Sequence, residues 1–504
     1  MSTIRKKSII ASGVVYIGLG LGVGTNFLLA RDLTPAQYGL ISGMFLAIST
    51  IMFSFANLGL SAVIAKFYPY YKANLPPERN DLMGWTLPLT CGGYLLVVLI
   101  MLVFKGSVIH HYQGRSAELV HYYYWLFPFG LGLTIFSLLE MYTWQLQKPI
   151  VTNYLREVQF RVVTLILIAL YLTGVLGSFG LFVKLYSFNW LVTALVLLIY
   201  LMKTKQLHFV FSRSRVTEKF FPKMRSLALL AWSGVVIYNV AFYFAQIVIG
   251  AVVPAGLAAV GLFTIAQLAG SIIQAPQRAL QPAAIGPLSQ AWKDKDYGRI
   301  DRIYRRSSIT QLVFSVGMFS LMLLNWRDGI LTFGFPLPYL DARTVFFFIG
   351  LARVVDMGTG VTQQIIGTSI FWRFDFLSGL VLVLLTLPMN YWLATKLGVV
   401  GPAIADLFTF TVYNGIRWIF LYRKFKMQPF TVHTLYTLFL GAGCYVICYL
   451  AFDRYQGLFW LFLRSLTFLG LYVAGAVGLK LSEDIRPVWL TIRKRVSGIF
   501  GGRP

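Results

Sequence analysis

Nine polar side chains are notable for where they occur. Asn26, Asn57 and Lys66 lie in, or just past, the first two long apolar segments, and Asn239, Gln246, Gln267, Gln274, Gln277 and Arg278 lie in the pair of apolar segments just past the middle of the chain. None of these four segments contains Asp or Glu. Carboxamides donate and accept hydrogen bonds without titrating, and Lys and Arg add fixed positive charge, so the set is suited to holding a hydroxyl-rich anionic molecule rather than to acid–base work. Polar groups in hydrocarbon are costly unless they face protein or water. The competing uses are snorkelling of Lys66 and Arg278 at helix ends and helix–helix hydrogen bonding by the amides.

The titratable groups offer little catalysis. Asp356 and Asp406 fall inside apolar segments and are candidates for ion coupling. Glu157 with Arg161, and Arg353 with Asp356, are spaced to neutralise each other along one helix. Glu140, Lys184, Asp406, Arg417 and Arg464 have no local partner and must pair across helices, snorkel or face water. Asp294-Lys295-Asp296 has the pattern of a metal-binding acidic motif of glycosyltransferases but sits among Lys293, Arg299 and Arg302 in a short loop, where solvated charge is the expectation. His110, His111 and His121 lack ligand spacing, so no metal is expected. No phosphate-binding Gly-x-x-x-x-Gly-Lys-Ser/Thr run occurs, so ATP is not the direct motor and no cofactor is called for. Gly18, Gly20, Gly22 and Gly24 give two small-xxx-small registers suited to close helix packing.

The elements that must position these residues are membrane helices. The chain has 504 residues, 57% hydrophobic and only 12% charged, with a mean hydropathy of +0.70, which fits a bilayer rather than water. Runs of about 20 apolar residues recur about fourteen times, each able to cross the hydrocarbon as a helix with its backbone bonds satisfied internally. The expected fold is an all-α polytopic membrane protein, its helices in two pseudo-symmetric bundles around a central cavity. The segment 8–30 follows Arg5-Lys6-Lys7 but is too long for a secretion signal and reads as an uncleaved span. Cys91, Cys444 and Cys448 all lie in apolar segments, which leaves no disulfide framework. A net charge of +26 would suggest nucleic acid in a soluble protein; here, placing both termini in the cytoplasm puts most Lys and Arg on the cytoplasmic side, and no nucleic-acid partner is expected.

The organisation reads as a six-span bundle at 1–202, a basic cytoplasmic linker at 203–225, a second six-span bundle at 226–422, and two further spans with a basic tail at 423–504. Ser12-Gly13-Val14-Val15 recurs as Ser233-Gly234-Val235-Val236, and Tyr38-Gly39-Leu40 as Val260-Gly261-Leu262, at offsets of 221 and 222 residues. An even number of spans between the copies gives them parallel orientation. In the tail, Trp489, Ile492, Val496 and Phe500 are at helical spacing beside Arg493-Lys494-Arg495, as in an interfacial helix on an anionic leaflet.

Leu33-Thr34-Pro35-Ala36-Gln37-Tyr38-Gly39-Leu40, followed by Asn57-Leu58-Gly59-Leu60-Ser61-Ala62, resembles the opening of Wzx-type oligosaccharide flippases, relatives of lipid II flippases and multidrug exporters. The resemblance implies a polyprenyl-diphosphate-linked oligosaccharide as cargo, moved from the cytoplasmic to the outer leaflet of the inner (cytoplasmic) membrane by alternating access, with membrane lipids and polysaccharide-assembly proteins as partners. Lys66 and Arg278 would then meet the diphosphate. Unlike the lipid II branch, the first span carries no cation before Arg31. A same-fold exporter of lipid II or small molecules is the alternative, and for cationic small molecules acids would be expected in the opening spans. A membrane glycosyltransferase or polysaccharide polymerase would need larger external segments or a placed carboxylate.

Overall fold

Long apolar runs with little apolar–polar alternation should give helices throughout. The computed structural model describes residues 3–482, and among them it contains helices and no strand. Ten helical stretches among the described residues are long and apolar enough to cross a membrane. The other expected spans, 8–30, 150–174, 344–367 and 398–422, are helical as well. Three of these carry charges within them: Arg156, Glu157 and Arg161; Arg353 and Asp356; Asp406 and Arg417. The tail expected at Ile485–Phe500 lies outside the described residues.

Packing divides the chain into two compact units, 1–261 and 262–504. The repeat-based division at 203–225 follows sequence likeness; the packing boundary lies later because the helix after the linker packs on helices of the first unit. The first unit contains α1 (Thr3–Asp32), α2 (Leu46–Ala56), α3 (Leu60–Asn74), α4 (Leu82–Val103), α5 (Leu126–Gln145), α6 (Phe160–Leu172), α7 (Asn189–Lys203) and α8 (Arg215–Val252). Helix α9 (Gly256–Ile273) holds the boundary. The second unit contains α10 (Ala275–Lys293), α11 (Tyr297–Thr332), α12 (Ala342–Gly358), α13 (Thr362–Gly367), α14 (Trp372–Leu397), α15 (Val400–Phe425), α16 (Val432–Phe452) and α17 (Leu458–Gly478).

The basic linker is only partly a loop. Residues 204–214 are non-helical, and Arg215 already begins α8. Asp81, buried at the start of α4, accepts from the Ser214 backbone N–H at 2.9 Å and the Thr217 hydroxyl at 2.7 Å, while Ser214 caps α8 through the Thr217 N–H. A buried carboxylate that receives donors from a helix N-terminus is both paired and favourably placed on the helix dipole.

The glycine run in α1 serves one register. A Cβ on Gly18 would lie 2.4 Å from the Glu157 Cβ, and one on Gly22 would lie 2.2 Å from the Arg161 guanidinium, whereas Gly20 and Gly24 face open space. The missing side chains let the Glu157–Arg161 pair, 2.6 Å apart, lie directly on α1, where Arg161 also donates to the Gly18 carbonyl. The pair sits where π-helical backbone at Leu155–Gln159 gives way to α6. A second glycine contact is reciprocal. A Cβ on Gly39 would strike the Leu257 carbonyl and one on Gly261 the Pro35 carbonyl, each at 2.1 Å. Leu257 follows Pro35 by 222 residues, as Gly261 follows Gly39, which matches the repeat offset.

Candidate functional site

In the second unit two membrane helices break beside each other's polar residues. Helix α9 ends at Ile273 and α10 starts at Ala275, with Gln274 between them; Pro276, in the first turn of α10, has no N–H to continue the ladder. Helix α12 ends at Gly358, and Gly360, at φ +62°, turns the chain before α13. Breaks of this kind release backbone groups and are used by transporters to build ion and substrate sites.

Asp356, half-buried on α12, is the centre of this cluster. One carboxylate oxygen accepts from Gln277 Nε2 at 3.0 Å and, weakly, from Gln274 Nε2 at 3.5 Å. The other accepts from Asn414 Nδ2 on α15 at 3.1 Å. The Thr359 hydroxyl reaches the Asp356 carbonyl at 2.7 Å and Asn414 Oδ1 at 3.1 Å, and with one hydrogen it serves one of them at a time. Together the five residues offer a carboxylate, three carboxamides and a hydroxyl, which is an oxygen-rich donor set once the amides rotate.

The expected Arg353–Asp356 pairing is not formed. Arg353 is buried, has no ion pair among the described residues, lies 5.1 Å from the Phe410 ring and is in Coulombic range of Asp406. Amides from other helices have taken its place on Asp356. About three turns of α15 carry Asp406, Phe410, Asn414 and Arg417 along one face. Buried Arg417 pairs with Asp375, donates to the Ser378 hydroxyl at 3.0 Å and lies 3.9 Å from the Tyr413 ring. Of the other charges without a local partner, Glu140 pairs with Arg156, and Arg464 with Asp328 at 2.7 Å. Lys184 lies 5.7 Å from the Trp125 ring.

The first unit breaks its second span at Asn57. Asn57 caps the end of α2, accepts from the Ser61 N–H at 3.2 Å and donates to the Ser61 hydroxyl at 2.8 Å; Leu58 and Gly59 both have positive φ. Its amide thereby replaces ladder bonds lost at the break. Asn239 on α8 donates to the Ser54 hydroxyl at 2.7 Å, and Asn26 to the Gly22 carbonyl of its own helix at 2.9 Å. Gln246 is buried and Gln267 half-buried. Lys66 and Arg278 are exposed, Lys66 lying 6.0 Å from the ring of its neighbour Phe67.

The structure therefore brings Gln274, Gln277 and Asp356 together. It also corrects the acid-free surroundings expected of the amides: Gln274 and Gln277 contact a carboxylate that a different helix supplies. Asn414 and Thr359 were not singled out from sequence, nor was Asn390, an amide fully buried on α14. Asp294-Lys295-Asp296 has structural uses: Gln290 donates to Asp294 at 2.8 Å, and Asp296 caps α11 through the Arg299 N–H at 2.8 Å.

A family model described as polysaccharide biosynthesis protein matches residues 4–286. No curated protein sequence gives a significant match. Among solved structures, the chain is similar to a lipid II flippase MurJ in an inward closed conformation, with a TM-score of 0.71, 13% identity, and 94% of this chain and 99% of that one covered. It is also similar to an inward-facing multidrug resistance MATE family transporter of the MOP superfamily, with a TM-score of 0.61, 13% identity, and 82% and 96% covered.

Proposed function

Because the chain belongs to the polysaccharide biosynthesis protein family, we propose that it flips a polyprenyl-diphosphate-linked oligosaccharide from the cytoplasmic to the outer leaflet of the inner membrane, with both termini in the cytoplasm. The observation that carries this reading is the family match combined with a multi-span fold similar to that of a lipid flippase along nearly the whole chain. The physical problem fits. An oligosaccharide headgroup in bare hydrocarbon would leave its hydroxyls without partners at several kcal/mol each, and amides along the path replace those partners. Exposed Lys66 and Arg278 are assigned, each in its own unit, to the diphosphate. The Asp356 cluster is assigned to the coupling ion, with Asp406 beside Arg353 as the second candidate.

Proteoliposomes containing labelled polyprenyl-diphosphate oligosaccharide test the proposal. The parent is expected to expose the label to an external probe faster than empty vesicles, with Lys66→Ala and Arg278→Ala slower. No flipping by the parent overturns the cargo; parental rates in both variants overturn the diphosphate assignment alone. A second reading, export of small cations, draws on Asp356 lying against Gln277. Gradient-driven uptake of a cationic dye that oligosaccharide lipid does not inhibit would favour it.

A further inference from the structure

A second set of charges lies far from Asp356, where α11 and α16 end and α12 and α17 begin. Arg343 is about 20 Å along α12 from Asp356 at 1.5 Å per residue. A pocket of about 60 Å³ there is lined by Arg327, Asp328, Arg343, Tyr449, Asp453 and Arg464 among others. Two of its charges are already committed. Buried Arg464 pairs with buried Asp328 and also donates to the carbonyls of Phe452 and Tyr455, at 2.9 Å each. The pair contributes no net charge and fixes the pocket floor.

Three charges remain available. Arg343 spends one N–H on the Tyr445 hydroxyl at 3.0 Å and is half-buried. The side chains of Arg327 and Asp453 are exposed and have no hydrogen bond or ion pair among the described residues. A simple anion would satisfy the arginines and be repelled by Asp453; a simple cation would meet the reverse. A molecule carrying phosphate and primary ammonium a few bonds apart satisfies all three. Beside Tyr449, itself exposed, the outward residues Val446 and Leu450 continue the surface as hydrocarbon. Helix ends next to exposed apolar side chains lie at the depth of lipid headgroups.

The geometry points to a binding site for a zwitterionic aminophospholipid headgroup, with phosphate on Arg327 and Arg343, ammonium on Asp453, and acyl chains along Val446 and Leu450. Guanidinium suits the phosphate because its planar fork donates two bonds at once. Primary ammonium suits Asp453 because it can donate a hydrogen bond, which the trimethylammonium of a choline lipid cannot. The site is independent of the cargo.

The test uses the full-length protein in detergent, titrated with short-chain phosphatidylethanolamine, phosphatidylcholine and phosphatidylglycerol, and with O-phosphoethanolamine as the chain-free headgroup. Phosphatidylethanolamine is expected to bind about tenfold more tightly than either other lipid, one charge-assisted hydrogen bond being the difference. Arg327→Gln should weaken phosphatidylethanolamine and phosphatidylglycerol alike by about tenfold, and Asp453→Asn should abolish the preference between them. Neither side chain is bonded among the described residues, so lipid-free melting should match the parent; Arg327→Lys, which keeps the charge without the two-bond fork, should bind more weakly than the parent and more tightly than Arg327→Gln, and serves as the control should Arg327→Gln fold poorly. Equal binding of phosphatidylcholine, or a preference that survives Asp453→Asn, overturns the site. Displacement by O-phosphoethanolamine as effective as by the lipid overturns its assignment to a lipid.

Discussion

Asparagine in place of Asp356 keeps the shape of the side chain and removes its charge. The carboxylate holds two good hydrogen bonds, from Gln277 at 3.0 Å and Asn414 at 3.1 Å, while Gln274 at 3.5 Å is at the limit of a bond. Bonds to a charged acceptor contribute roughly 1.5–3 kcal/mol each and neutral ones roughly 0.5–1.5. With asparagine, one bond becomes neutral and the other sets an N–H group against an N–H group. Loss of the half-buried charge removes a desolvation cost that offsets part of this, which leaves a net destabilisation of about 2 kcal/mol. A parallel loss of coupling is expected. Flipping in proteoliposomes under an imposed sodium or proton gradient should stop responding to the gradient in Asp356→Asn, and the purified variant should melt earlier in detergent. A variant with the parent's melting temperature, rate and gradient response would refute both the bond accounting and the coupling assignment.

Three further outcomes follow from the packing. Gly22→Leu should lower the yield of monodisperse protein in size-exclusion chromatography, because its Cβ falls within the Arg161 guanidinium, whereas Gly20→Leu, which faces open space, should behave as the parent does. Arg464→Met strands buried Asp328 and should cost about 3–5 kcal/mol by denaturant unfolding; adding Asp328→Leu should recover part of that, and a double variant no more stable than the single one contradicts the pairing. Glu118, outside the spans, has its carboxyl pKa raised by burial, partly opposed by His121. The protonated form is the one the fold prefers, so its contribution is present below the ordinary carboxylate range and lost as pH rises through the raised value. Glu118→Gln should flatten the decline in melting temperature over that window, and an unchanged slope contradicts the burial argument.

Residue types alone made the helical, many-span architecture legible, since a bilayer leaves the backbone few other choices. Close packing at the α1 glycines was also legible, though not which of the two registers packs, and so was the choice facing Glu140, Arg417 and Arg464 between a distant partner, snorkelling and water, because an unpaired charge in hydrocarbon is too costly to leave alone. The partners themselves were not. Asp375 lies 42 residues before Arg417, and Asp328 lies 136 before Arg464; only folding brings them together. The Arg353–Asp356 pairing fails because i, i+3 spacing makes Arg353 available to Asp356 without making it the best donor, and three amides from elsewhere compete successfully. The acid-free surroundings failed for a related reason. The composition of one apolar segment omits what packs against it; a side chain responds to whatever faces it, and Gln277 faces a carboxylate from α12.

The seam formed by Gly18 and Gly22 also bears on how the protein is made. The chain emerges in order, and Glu157 and Arg161 follow Gly18 by about 140 residues, so at roughly 5–20 residues per second the first helix waits on the order of 10–30 s for its complement. During that interval its notch faces lipid or an insertase. The later helix can enter already neutralised by its own i, i+4 pair, so closing the seam is a docking event between two inserted helices. Any bulky residue at Gly22 would act at that step, before transport begins, and would be detected as accelerated turnover of the newly synthesised chain.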